Sequence, residues 1–169
     1  MKNKSVIFVI VLLAIATLVL AFLNKGSIDV SGYEGTVKFI SGENSIELSF
    51  EEITSLDYEE FSAVEDTSSS GPAARKYKGV LLKEVLNEAS ISDEVILSST
   101  KIMVKGLDGY VVAIPPEEIM GNTSYLVFEK DGKELGTMKS GGSGPIQLVV
   151  KSDPFSQRWC KYVSEVIVE

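Results

Sequence analysis

Residues 101–119 read K-I-M-V-K-G-L-D-G-Y-V-V-A-I-P-P-E-E-I and open the part of the chain that decides the fold class. Residues 125–136 continue it as Y-L-V-F-E-K-D-G-K-E-L-G, and the chain ends with G-P-I-Q-L-V-V at 144–150 and R-W-C-K-Y-V-S-E-V-I-V-E at 158–169. Short apolar runs alternate with Gly, Asp and Pro turn residues in all four segments. Apolar runs on either side of Gly-Leu-Asp-Gly and of Asp-Gly predict two hairpins.

The preceding residues extend this sheet pattern. Thr36–Ile40 and Ser45–Phe50 alternate between apolar and polar residues and predict a first hairpin. Residues 62–76 contain three consecutive serines and a Gly-Pro pair, which predict a loop. Residues 79–89 carry apolar side chains at helical spacing and predict a helix. Many short strands and few helices together predict an α+β domain of mixed sheet over residues 35–169.

The N-terminal segment predicts membrane attachment. Residues 6–23 are uncharged and apolar, and as a helix they would extend about 27 Å, close to the thickness of a bilayer core. Lys2 and Lys4 favour a cytoplasmic N-terminus, residues 1–5. We therefore expect a single-pass signal anchor in the cell membrane, a linker at 24–34 and an extracytoplasmic domain. A cleaved signal peptide and a buried helix stay open as alternatives.

Charge and residue usage exclude several functions. All twenty-four acids lie after the apolar segment, so residues 25–169 carry fourteen bases and a net charge of −10. Nucleic acid requires a basic surface, and we therefore expect no nucleic-acid partner. The chain has no histidine, which excludes Ser-His and Cys-His nucleophiles. Cys160 is the single cysteine, so it cannot form an intramolecular disulfide, and we expect a buried, inert thiol.

In order and spacing, five segments resemble the oxidoreductase molybdopterin-binding domain, the central domain of the sulfite oxidase family. They are Tyr77-Lys-Gly-Val-Leu-Leu, Asp108-Gly-Tyr110, Asp131-Gly-Lys-Glu-Leu135, Gly144-Pro145 and Trp159-Cys-Lys-Tyr-Val. The resemblance covers roughly residues 36–169. It implies a β-rich, mixed-sheet α+β fold in which loops at one end surround a pterin, and it makes molybdopterin a possible cofactor.

The sequence departs from that family where chemistry is concerned. The resemblance implies a metal-ligating cysteine in or near the loop before Tyr77, where this chain offers only serines. A serine hydroxyl ionises far less readily than a thiol and is a poor ligand for such a metal. Gln147 stands where the family often has arginine, and the histidines that often hold the cofactor phosphate are absent. We therefore assign no catalytic residue and no metal ligand, and the cofactor stays unknown.

Candidate binding residues lie in segments that the resemblance places around one pocket, between residues 65–78, 106–110 and 139–145. Arginine suits an anion because its planar group donates two parallel hydrogen bonds, and a glycine-rich loop can hold a phosphate with backbone N–H groups. An exposed loop, tight turns and surface charges are the respective alternatives. The candidates are Ser68, Ser69, Ser70, Arg75, Asp108, Tyr110, Gly141, Gly142, Ser143 and Arg158.

Three functions are compatible with these observations. The first is a membrane-anchored, non-catalytic binding module that accepts a small anionic or pterin-like ligand, or a peptide. The second is a molybdenum-cofactor-dependent oxidoreductase with substitute metal ligands. The third is an accessory subunit of a membrane redox complex. The missing cysteine favours the first over the second.

Overall fold

The computed structural model describes residues 2–23, 33–67 and 71–169 of the 169-residue chain. Side chains in the first segment are described for residues 6–20. Three of the candidate residues, Ser68, Ser69 and Ser70, lie outside the described residues, and so does most of the predicted linker. Their proposed place beside a pocket stays a prediction.

The N-terminal helix α1 (Lys2–Leu23) carries exposed apolar side chains between residues 6 and 20. Among the described residues, no helix is long and apolar enough to cross a membrane. The predicted transmembrane helix is therefore not supported.

Two five-stranded sheets make up the domain. In the first sheet the strand order is β2-β1-β10-β5-β6, with β1 and β10 parallel and every other pair antiparallel. The sheet joins the start of the domain to its end, because the central strand β10 is the last in the chain. Its strands are β1 (Val37–Ser41), β2 (Asn44–Leu48), β5 (Ile102–Gly106), β6 (Val111–Ile114) and β10 (Val163–Val168).

The second sheet is antiparallel throughout. Its strands are β3 (Tyr58–Thr67), β4 (Gly71–Leu81), β7 (Ser124–Lys130), β8 (Lys133–Glu134) and β9 (Gln147–Val150). The order is β3-β4-β7-β8, and β9 also pairs with β7. The predicted mixed-sheet architecture is confirmed. The predicted hairpins at 36–50 and 102–114 are β1–β2 and β5–β6.

The loop predicted over residues 62–76 is wrong where the structure describes it, because residues 62–67 and 71–76 belong to the long hairpin β3–β4. Phe61, Ala63 and Tyr77 point into the core, while Ser62 and Val64, which alternate with them along β3, are exposed. This is the alternation of a half-buried strand. The Gly-Pro pair that suggested a loop begins β4, and the three serines lie outside the described residues.

Short helices fill the connections between strands. The helix α3 (Leu82–Glu88) confirms the core of the helix predicted at 79–89, although residues 79–81 belong to β4. Leu82, Val85 and Leu86 are fully buried, and α3 packs against β4 and β7. The other helices are α2 (Phe50–Thr54), α4 (Asp93–Ser98), α5 (Pro116–Met120) and one 3-10 turn (Met138–Ser140).

Gly79 sets the distance between the two central strands of the second sheet. A β-bulge lies between Lys78 and Gly79 where β4 pairs with β7. A Cβ atom on Gly79 would lie 2.7 Å from the carbonyl oxygen of Leu126 and 2.8 Å from the Cα atom of Val127. These are backbone atoms of β7, so the clash can be relieved only by moving the strand.

We expect Gly79→Ala to lower the free energy of unfolding by about 1–3 kcal/mol, the usual cost of overpacking a core. Urea unfolding followed by circular dichroism measures it. Gly121→Ala is the matched control, because its Cβ would lie no closer than 3.1 Å to any neighbour. Equal losses in the two variants would contradict the role given to Gly79.

Candidate functional site

Charged side chains gather on the inward face of the β3–β4 hairpin. Ala63 pairs with Arg75 and Phe61 with Tyr77, so alternation places Glu65, Arg75 and Tyr77 on one face. The Glu65 carboxylate is 12% exposed; it lies 3.8 Å from Arg75 Nε and accepts hydrogen bonds from Lys130 Nζ at 3.2 and 3.3 Å. One buried carboxylate therefore holds two cations from neighbouring strands.

Asp131 completes this group from the turn after β7. Its Oδ2 atom lies 3.3 Å from Arg75 Nη1, and its Oδ1 atom accepts the Lys76 N–H at 3.0 Å. The Asp131 N–H donates back to the Lys76 carbonyl at 2.8 Å. We call Glu65, Arg75, Tyr77, Lys130 and Asp131 the Arg75 cluster. Its two cations are balanced by two carboxylates.

Two donors of the Arg75 cluster lack an acceptor. Arg75 Nε and Tyr77 Oη are buried, and neither has a partner in hydrogen-bond geometry in the described part of the chain, although the Glu65 carboxylate lies near both. Burial, followed by the charges of Glu65 and Asp131, raises the pKa of Tyr77 above its usual value, so the phenol keeps its proton. Leaving a buried donor unpaired costs about 1–3 kcal/mol, which an added acceptor would recover.

Asp108 and Tyr110 bond to the protein itself. The Asp108 carboxylate accepts the Tyr110 N–H at 3.0 Å, which is the geometry of an Asx turn. The Tyr110 hydroxyl donates to the carbonyl of Gln157 at 2.7 Å. These contacts favour the turn that was the alternative to a ligand role.

The glycine-rich loop also uses its own hydrogen bonds. The N–H groups of Gly141, Gly142, Ser143 and Gly144 donate to the carbonyls of Met138, Thr137, Leu135 and Gly136, at 2.8–3.1 Å. None of the four is free to hold a phosphate. This geometry favours a tight turn over the anion-binding loop that the glycines suggested.

The loop and the 106–110 turn do meet, at Tyr162. The Tyr162 hydroxyl donates to the Gly142 carbonyl at 2.6 Å, and the Leu107 N–H donates to the Tyr162 carbonyl at 3.0 Å. The cavity between them measures about 110 Å³, and Lys139 and Tyr33 also line it. Sites for small molecules are usually roughly 300–1,000 Å³, so this cavity is too small for a pterin-sized ligand.

Arg158 is held by carboxylates rather than left free for an anion. Its Nη1 and Nη2 atoms donate to the two Glu118 oxygens at 2.9 Å each, and its Nε atom donates to Asp153 at 3.0 Å. These hydrogen bonds, Glu118 first, raise its pKa further above the usual range. Arg158 therefore joins α5 to the segment before β10.

The structure separates the candidates into three groups. Arg75 belongs to the Arg75 cluster, the 106–110 turn and the glycine-rich loop share Tyr162, and Arg158 stands with Glu118 and Asp153. Sequence reasoning missed Glu65, Tyr77, Lys130 and Asp131 as partners of Arg75. The alternation of Phe61, Ala63 and Glu65 could have placed Glu65 on the inward face had the segment been taken as a strand.

Comparison with known proteins identifies the family. Residues 28–169 match the family of the oxidoreductase molybdopterin binding domain, and the chain therefore belongs to that family. Among solved structures, it is similar to the sulfane dehydrogenase SoxCD from Paracoccus pantotrophus, with a TM-score of 0.64 and 19% identity. The alignment covers 79% of this chain and 38% of the other, and at this identity the likeness concerns the fold. No curated protein matches the chain.

The donor set does not fit a molybdenum cofactor bound through a protein thiolate. Cys160 is fully buried, and burial, with a smaller contribution from Asp108, raises its pKa to about 12, so its sulfur stays protonated at neutral pH. Within the described ranges, no group of three or more Cys, Asp or Glu residues is arranged to hold a metal ion. The N–H groups of residues 141–144 and the Arg158 guanidinium are the groups that could hold a cofactor phosphate. They are already hydrogen-bonded within the protein.

We expect Cys160 to resist a thiol reagent such as DTNB in the folded chain until the pH approaches about 12, and to react at once in denaturant. Because folding raises the pKa above the ordinary value of 9.0, the thiol contributes stability below about pH 9 that is lost as the pH rises. Labelling and urea unfolding across this range measure both effects. Rapid labelling of the folded chain at neutral pH would contradict the assignment.

Proposed function

We propose that the chain is a non-catalytic binding module of its family that accepts a small anion at the Arg75 cluster. The observation that carries this proposal is the pair of buried donors, Arg75 Nε and Tyr77 Oη, without acceptors among the described residues. An oxygen of a carboxylate, sulfonate or sulfate would provide the acceptor that each donor lacks.

The surroundings favour a small ligand of low charge. The Arg75 side chain is 39% exposed, so an anion can reach it from solvent. Lys130 and Arg75 are already balanced by Glu65 and Asp131, so a polyanion with more charge than sulfate would meet no excess of cations. The net charge of −10 over residues 25–169 also opposes polyanions.

A molybdenum-dependent oxidoreductase is the competing function, because the family and the SoxCD likeness both come from redox proteins. The donor set described above supports the binding module over this alternative. The predicted pterin-like ligand also lacks support, since the cavity at Tyr162 is small. A role as an accessory subunit of a membrane redox complex stays a prediction.

The test is calorimetric titration of the purified full chain with sodium sulfate. We expect saturable binding that Tyr77→Phe weakens about tenfold, the loss of one charge-assisted hydrogen bond, and that Arg75→Gln abolishes. Arg158→Gln is the matched control, because it also removes a guanidinium that contacts two carboxylates, yet it should leave sulfate binding unchanged.

The proposed site would be overturned if Arg75→Gln and Arg158→Gln changed sulfate affinity equally and Tyr77→Phe did not change it. Molybdenum content by elemental mass spectrometry and pterin fluorescence after oxidation are measured on the same sample. Near-stoichiometric metal and pterin would contradict the binding-module proposal and favour the oxidoreductase.

We also propose that the chain is attached to a membrane through α1, with the domain outside the cytoplasm. The exposed apolar side chains of residues 6–20 support attachment, because a soluble protein rarely exposes so continuous an apolar surface. We expect the full chain to stay in the membrane fraction during alkaline carbonate extraction. A chain that lacks residues 1–25 should be found in the soluble fraction. Release of both forms would contradict the attachment.

A further inference from the structure

The edge strand β3 offers an unpaired row of backbone groups to another chain. It ends the second sheet, and with ten residues it is the longest edge strand in the described part of the chain. Natural proteins usually shorten or cover such edges, because free N–H and C=O groups invite another strand. An edge left this long is therefore a candidate for binding an extended peptide.

The hydrogen bonds at the end of β3 reveal which groups face outward. Asp66 pairs with Pro72, which has no N–H, and both backbone groups of Asp66 instead bond to the Ser156 hydroxyl, at 3.0 and 3.1 Å. Asp66 thus faces away from β4. Since the register with β4 is unbroken and outward-facing residues alternate, Tyr58, Glu60, Ser62 and Val64 face outward as well.

Lys76 supports this alternation from the other strand. It lies opposite Ser62, and its two backbone groups bond to Asp131 instead of β3. Ser156 closes the edge only at Asp66. Along the described chain, no backbone hydrogen bond outside the ladder reaches the outward groups from Tyr58 to Val64.

A cavity adjoins this open edge on the face that carries Glu60 and Ser62. It has a volume of about 360 Å³ and is also lined by Phe61, Lys76, Tyr77, Lys78, Glu129 and Gly132. In β-strand addition, backbone hydrogen bonds provide affinity, and pockets for alternate side chains provide specificity. The edge and the cavity together supply both components.

Charge indicates the kind of partner. The strand β3 carries four acids and no base. Glu59 is bonded to Tyr125 and Glu65 to Lys130 on the inward face, which leaves Glu60 as the exposed acid beside the cavity. Lys78 is paired with Glu129, whereas the exposed Glu60 carboxylate has no ion-pair partner within the described residues. Two copies of β3 side by side would place eight carboxylates along one ladder, which opposes self-pairing. The partner that complements this acidic edge is an extended, basic segment.

We propose that β3 binds an extended, lysine- or arginine-containing peptide segment of a partner protein by strand addition along Tyr58–Val64. A basic side chain of the segment lies against Glu60, and a neighbouring side chain enters the cavity. The side chains of Glu60 and Ser62 are on the opposite face of the hairpin from Arg75, which does not line the cavity, whereas Tyr77 borders both surfaces.

The probe is the fluorescent peptide Gly-Lys-Thr-Val-Thr-Lys-Thr-Val, titrated with the full chain and followed by anisotropy. We expect saturable binding that Ser62→Pro abolishes. Proline removes one outward N–H but no bond to β4, so it is tolerated at an edge. Glu60→Lys should weaken binding about tenfold by replacing attraction with repulsion. Glu117→Lys, an equal charge reversal on the exposed face of α5, should leave it unchanged.

The same peptide methylated at alternate backbone nitrogens tests the hydrogen bonds directly. Its affinity for the unmodified protein should be no higher than the affinity of the Glu60→Lys variant for the original peptide. Equal binding of the methylated peptide, equal loss in Glu60→Lys and Glu117→Lys, or no binding at all would overturn the proposal. Concentration-dependent dimerisation that Ser62→Pro removes would replace the peptide with a second copy. Arg75→Gln should leave peptide binding intact, because Arg75 does not line the cavity, so this test and the sulfate titration fail independently.

Discussion

The contact between β4 and β7 at Gly79 is the constraint on which the second sheet depends. The missing side chain lets the Leu126 carbonyl and the Val127 backbone approach β4, and the bulge beside it shifts the strand register by one residue. Beyond the bulge, Tyr77 faces Lys130, and this places Lys130 beside Glu65 and Arg75. The position of the charged cluster is thus a consequence of backbone packing several residues away. The edge-to-face contact of Tyr77 and Trp159, at 5.5 Å, holds the same region from the core side.

Two arginines illustrate how similar sequence signals lead to different chemistry. Arg158 donates from all three nitrogens to Glu118 and Asp153, so its capacity for hydrogen bonds is used within the fold. Arg75 also faces two carboxylates, yet its buried Nε atom lies 3.8 Å from Glu65, too far for a hydrogen bond. The difference lies in geometry, because Glu118 meets Arg158 in a bidentate arrangement and Glu65 is shared with Lys130. Only the second arrangement leaves a donor for a ligand.

The fold was more predictable than the site, for physical reasons that particular residues make clear. Leu82, Val85 and Leu86 repeat at helical spacing, and β5–β6 alternates around a Gly-Leu-Asp-Gly turn, so these elements could be predicted from local pattern. The β3–β4 hairpin could not, because the Ser, Gly and Pro residues at 68–72 of the sequence outweigh the alternation of Phe61 and Ala63. The Arg75 cluster joins residues 65, 75 and 131, and no local pattern encodes such a pairing. The prediction for the glycine-rich loop failed because a local pattern was present but ambiguous. Glycines that close a tight turn have the same sequence signal as glycines that bind phosphate.

Retention of the family fold does not require retention of the family's metal chemistry. The core depends on apolar residues such as Leu126, Leu148 and Val166, which are fully buried, and none of them is a candidate ligand. A thiolate site, by contrast, depends on one exposed, ionisable cysteine, whereas Cys160 is buried beside Tyr110 and Lys161 carbonyls. A fold of this kind can therefore form whether or not it carries such a cysteine. In this chain that hairpin carries a balanced set of charges on one face and an open acidic edge on its outer side, two features on which binding can depend without a metal.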